Sequence, residues 1–99
     1  MGKLFVLIRN DLKPSYQAVQ AGHAVAQWML DNKDQKWNNQ TLVYLQVPDM
    51  DHLEVWASKL NSKAISFSQF NEPDINNQVT ALACYTDKGI FDKLKLMGA

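Results

Sequence analysis

The chain has 99 residues, a mass of 11.3 kDa and 46% hydrophobic residues, so one folded domain is expected and intrinsic disorder is not. Ten Lys and Arg balance ten Asp and Glu, which removes the large basic excess that commonly announces a nucleic-acid binder. The single cysteine, Cys84, excludes an intramolecular disulfide and a cysteine-built zinc site, and it fits a reducing compartment, with the cytoplasm as the expected location.

Leu4 to Ile8 is an unbroken apolar run. It is too short for the core of a signal peptide, and no run in the chain approaches the roughly 18 apolar residues of a membrane span. An apolar run without alternation suits a strand covered on both faces at the centre of a sheet. Asn10 to Ser15 breaks it, and Pro14 or Ser15 opens a helix over Tyr16 to about Leu30. Val19, Gly22, Ala26 and Leu30 form one apolar stripe of that helix, with Ala18, Ala21, Val25 and Met29 beside it. This stripe is expected to pack on the sheet.

A polar loop, Asp31 to Gln40, leads to a second strand over Thr41 to Val47, ended by Pro48. Asp51 and Glu54 have the spacing of a helix cap and its reciprocal partner, and Leu53, Trp56, Ala57 and Leu60 give the apolar face of a second helix. Ala64 to Phe70 reads as a strand near a sheet edge, Asn71 to Asn77 as a turn, and Val79 to Tyr85 as a fourth strand. Ile90, Phe91, Leu94 and Met97 then suggest a short last helix. The order β-α-β-α-β-β-α predicts an α/β fold, a small mixed four-stranded sheet with helices on both faces. The first two crossovers favour parallel neighbours, and the short last link allows an antiparallel pair.

Ligands of such sheets gather at the carboxyl ends of parallel strands. Arg9, Asp11 and Lys13 fall there, two cations and a carboxylate at a strand-to-helix turn, which suits an anion or simply a solvated ion pair. His23, with Gln20 one turn before it, is a candidate acid–base group. Glu72 and Asp74 offer two loop carboxylates able to hold a water. Thr80 and Cys84 share side-chain parity on the fourth strand, and Cys84 reads as a core residue. No second histidine is placed to build a metal site with His23, and no cofactor motif is present, so neither metal nor cofactor is expected.

Arg9-Asn10-Asp11-Leu12 followed by Ala18-Val19-Gln20-Ala21-Gly22-His23-Ala24 resembles the R-x-D-L and A-A-Q-x-x-H-A signature of the type II, archaeal- and eukaryotic-type, peptidyl-tRNA hydrolases. Trp37 with Gln40 to Val43 is similar to the segment entering the second strand of that family. Thr80-Ala81-Leu82-Ala83 is similar to its last strand. The resemblance covers nearly the whole chain. It implies the family fold, tRNA as partner, and cleavage of the ester between a peptide and the terminal ribose. It implies His23, Asp74, Glu72 and Thr80 as catalytic, and Arg9, Asp11, Lys13 and Gln20 as substrate-binding. The sequence departs from the family where a functional lysine would fall on Ser15-Tyr16, with Lys13 nearby, and in the acidic loop, here Glu72 to Asn77. The alternative reading is a binding module of the same fold without turnover. Pairing of two copies into a homodimer stays open.

Overall fold

A computed structural model describes residues 2–35 and 37–99. Four strands, β1 (Lys3–Arg9), β2 (Leu42–Val47), β3 (Ser68–Glu72) and β4 (Gln78–Thr86), form one sheet in the order β2-β1-β4-β3. β1 runs parallel to β2 and antiparallel to β4, and β3 is antiparallel to β4. β1 is interior, as its apolar run predicts. β3 is an edge, and its polar side chains suit that place. The second crossover does not end beside a parallel partner, because β4 is inserted between β1 and β3.

Helix α1 (Pro14–Asp31) covers one face and α2 (Met50–Ser62) the other. Leu4, Val6, Ile8, Ala81 and Ala83 turn toward α1, and Leu7, Leu82 and Cys84 toward α2. Trp28 and Trp37 close the α1-side core, edge to face. Trp56 packs on Phe91 in the other core. Burial pushes the Cys84 thiol up to about 11, so it stays protonated at neutral pH and behaves as a small core residue. No helix is long and apolar enough to cross a membrane among the described residues.

Several expectations need correction. The stripe expected to face the sheet faces outward: Val19 is 53% and Leu30 65% exposed. The inward face is Gln17, Gln20, Ala21, Ala24 and Trp28. The two alanines let α1 lie close to the sheet, and Gln20 has partners there that outweigh its polarity. Second, α2 is capped by Asp49 rather than Asp51. The Asp49 carboxylate accepts from the His52 backbone N–H at 3.0 Å, and Asp51 sits inside the first turn, where a negative charge faces the positive helix end.

Third, Ile90 to Met97 forms no helix. Phe91 is buried against Phe5 and Trp56, and the chain then runs along the free edge of β2. The Gln46 N–H donates to the Lys95 carbonyl and the Met97 N–H to the Tyr44 carbonyl, both at 2.9 Å. An eight-residue helix gains little on its own, whereas this strip satisfies groups of an edge strand that would otherwise face water.

The strand expected over Ala64 to Phe70 begins only at Ser68, because Ala64 is used to end α2. The Ile65 N–H donates to the Leu60 carbonyl and the Ala64 N–H to the Asn61 carbonyl, a closing turn that puts Ala64 at φ 55°. Alanine is strained in that left-handed conformation, and glycine is not. Ala64→Gly is therefore expected to stabilise the fold by about 1 kcal/mol, read as a higher urea midpoint. An unchanged midpoint would show that the turn carries no such strain.

Candidate functional site

The carboxyl end of β1 lies beside the amino end of β4, and the first turns of α1 pass over both. Pairing of β3 with β4 sets Phe70 opposite Ala81 and then Asn71 opposite Val79, skipping Thr80. Val79 joins the α2-side core and Ala81 the α1-side core. The residue left between them, Thr80, turns to α1. This bulge overturns the parity argument that placed Thr80 on the same side as Cys84.

Thr80 Oγ1 lies 2.6 Å from Gln20 Oε1, and Gln20 Nε2 lies 2.9 Å from Glu72 Oε1. The direction of this chain is fixed by chemistry. An ionised carboxylate only accepts, so the Gln20 amide N–H must donate to Glu72. The Gln20 oxygen then faces Thr80, whose hydroxyl must donate. Thr80 and Gln20 are wholly buried, both at 0% exposure, while Glu72 at 7% reaches the rim. Glu72 also caps the short turn Pro73–Ile75, accepting from the Asp74 N–H. The Asn77 N–H donates to the Glu72 carbonyl at 3.0 Å, and Asn76 and Asn77 both take left-handed conformations that asparagine tolerates better than most residues. The loop is thus closed around the carboxylate.

The Gln20 amide, followed by the Asp74 N–H and Tyr16, holds the Glu72 carboxyl below its ordinary range against the opposing effect of burial. Burial, then the neighbouring Glu72 charge, pushes the Tyr16 phenol up. His23 is exposed one turn beyond Gln20 and stacks on Phe70, with ring centroids 4.4 Å apart and planes 9° apart. It is near enough for its charge to favour ionised Glu72. Asp74 is exposed and makes no side-chain hydrogen bond to the Thr80–Gln20–Glu72 chain.

Arg9 and Asp11 do not project as free groups. Arg9 Nε and Nη2 donate to the two Asp11 carboxylate oxygens at 2.8 and 2.9 Å. Arg9 Nη1 donates to the Gln78 side chain at 2.9 Å and to the Val79 carbonyl at 3.2 Å. The fork fastens the end of β1 to the start of β4. Lys13 is exposed, just ahead of α1, and its carbonyl accepts from the Gln17 N–H. Gln17 in turn donates to the Leu12 carbonyl at 2.6 Å, tying the strand-to-helix turn to the helix. Of the residues singled out in the sequence, the structure therefore joins Gln20, Glu72 and Thr80 and separately pairs Arg9 with Asp11. His23 flanks the first group, and Asp74 and Lys13 stay at the surface. Tyr16 and Gln78 were missed, since only contacts distant in sequence reveal them. Among the described residues no group of three His, Cys, Asp or Glu could hold a metal ion.

Three carboxyls titrate below their ordinary values of 4.5 for Glu72 and 3.8 for Asp11 and Asp49: Glu72 through Gln20, Asp11 through Arg9 and Asp49 through His52. A folded-state value below the unfolded one gives stability that is present above the unfolded value and lost as pH falls through the folded one. The urea midpoint is expected to fall on acidification below about pH 4.5 as these groups protonate. A midpoint that rises on acidification through that range would contradict the assignment.

The family model described as "Peptidyl-tRNA hydrolase PTH2" matches residues 2–95. No curated protein matches the chain. A solved structure of a protein of unknown function from Agrobacterium tumefaciens is similar in fold, with a TM-score of 0.71, 16% identity and 96% of each chain covered.

Proposed function

We propose that this chain, which belongs to the peptidyl-tRNA hydrolase PTH2 family, hydrolyses the ester joining a peptide to the terminal ribose of tRNA. The observation that carries the reading is the buried chain from Thr80 through Gln20 to Glu72, which holds one ionised carboxylate at the sheet end. A carboxylate with a lowered pKa is a weak base but a good anchor. Glu72 orients a water by charge and favours the positive charge that grows on it as its oxygen attacks the ester carbonyl carbon. The bond from that carbon to the ribose oxygen then breaks. The water proton passes to the ribose oxygen, giving a free peptide acid and a tRNA hydroxyl.

Imidazole is the side chain that most readily takes and gives a proton near neutral pH, so His23 is assigned that transfer. Thr80 and Gln20 are positioning residues, since both are sealed from solvent. Asp74 is left outside the reacting group.

The same burial, with Ser15-Tyr16 standing where the family resemblance puts a lysine, also favours a second reading, a tRNA-binding module without turnover. Cleavage of peptidyl-tRNA, measured beside binding of deacylated tRNA, separates the two. Turnover supports the hydrolase; binding without turnover supports the module; neither activity overturns both.

A further inference from the structure

The side of α1 turned away from the sheet is exposed and apolar. Ala18, Val19, Gly22, Ala26, Met29 and Leu30 share it by their helical spacing, and all are exposed. Val19, Met29 and Leu30 make up half of the large hydrophobic side chains exposed among the described residues, so apolar surface is concentrated on this one face. From Pro14 to Leu30 the helix carries no Asp, Glu, Lys or Arg. A solvated helix face ordinarily carries charges, and a face that meets anionic lipid or nucleic acid carries cations. This face fits neither surrounding.

Gly22 stands at the middle of the face. Glycine in a helix interior costs stability relative to alanine. A Cβ there would meet no atom within 4 Å, so nothing inside the chain requires its absence. A second backbone passing close over the helix would require it.

The face is complementary to itself. Toward the amino end its side chains are small, Ser15 and Ala18, and toward the carboxyl end they are large, Met29 and Leu30. Two copies laid antiparallel across Gly22 set the large end of each on the small end of the other. Lys13 precedes the face and Asp31 follows it, both exposed, so the same arrangement sets the cationic end of each helix beside the anionic end of the other. With 18 residues in α1, the face measures about 27 by 10 Å. Two copies bury on the order of 500 Å² there, less than the roughly 1,200 to 2,000 Å² of tight complexes, which makes the pairing weak and reversible.

We propose that this face pairs with the same face of a second copy of the chain, antiparallel and centred on Gly22, in a monomer–dimer equilibrium. The pairing stands independently of the hydrolase reading.

Gly22→Cys tests the geometry. Cys84 is buried and stays protonated, so the added thiol is the reactive one. A two-fold axis at Gly22 brings the added cysteines of two copies within the roughly 7 Å Cα separation that a disulfide spans. Ser58→Cys, exposed on α2, measures random collision. Under mild oxidation Gly22→Cys is expected to form a linked dimer at least about tenfold faster than Ser58→Cys. In sedimentation equilibrium the wild-type mass is expected to rise from one chain toward two between micromolar and millimolar concentration. Ala26→Lys sets an unpaired cation against the apolar side of the partner and is expected to raise the dissociation constant about tenfold or more. Ala26 is exposed in the single chain, so the urea midpoint should stay at the wild-type value. A wild type that stays monomeric through millimolar concentration would overturn the proposal and leave the face to a different protein. Gly22→Cys linking no faster than Ser58→Cys would overturn the antiparallel register, and an undiminished dimer in Ala26→Lys would overturn this face as the interface.

Discussion

Glu72→Gln is expected to lower kcat on peptidyl-tRNA by about 100-fold or more, the scale of a positioned acid–base or charge-anchoring group. The substitution keeps the shape of the side chain and leaves an amide oxygen to accept the Gln20 N–H, now 2.9 Å from the carboxylate. It removes the charge proposed to hold and stabilise the attacking water. Stability should change by no more than about 1 kcal/mol, the usual net value of one hydrogen bond. Asp74→Asn is the control. Asp74 is exposed, so stability should shift within about half a kcal/mol and turnover should stay near wild type.

Thr80→Val acts from the other end of the chain. It strips the donor from Gln20 Oε1 in a fully buried place, a loss of about 1 to 3 kcal/mol. Because Gln20 is then free to turn its amide, Glu72 loses its fixed partner and kcat should fall while KM moves less. Wild-type turnover in Glu72→Gln, on a substrate the parent cleaves, would reject Glu72 and return attention to Asp74 and Lys13.

The four strands, the two long helices and their order were legible because each carries a local signal. Leu4 to Ile8 has no polar member and became an interior strand, and of the turn expected over Asn71 to Asn77 the part from Pro73 onward formed one, while Asn71 and Glu72 joined β3. The orientation of α1 was not legible. On hydropathy Val19 and Leu30 outrank Gln20, yet Gln20 is buried because its two partners lie 52 and 60 residues away in sequence. A side-chain amide satisfied on both sides costs little to bury, and periodicity alone cannot see those partners. Thr80 was placed on the wrong side, since a one-residue bulge reverses side-chain parity and leaves no mark in the sequence. The last segment misled for the opposite reason: its apolar spacing suits a helix, but the unpaired edge of β2 offered its backbone a better set of partners.

Arg9→Met is expected to destabilise the fold by about 2 to 3 kcal/mol, the largest stability effect among these substitutions. Methionine keeps much of the aliphatic stem that lies buried at 8% exposure, so the loss isolates the guanidinium. Four hydrogen bonds disappear, and the Val79 carbonyl is left without its donor in a buried place. The cost stays below that of breaking a fully buried ion pair, because the Asp11 side chain is 40% exposed and water can take over its solvation. Asp11→Asn should accordingly cost less than Arg9→Met. Arg9→Lys should recover only part of the loss, since an ammonium can meet Asp11 but cannot fork to Gln78 and Val79 at the same time. Turnover should follow stability here, because Gln78 and Val79 immediately precede the bulge that aims Thr80 at Gln20. If Arg9→Met instead keeps the wild-type urea midpoint and raises KM for peptidyl-tRNA, then Arg9 grips the RNA after all. The fork seen here would be a resting state that the substrate opens.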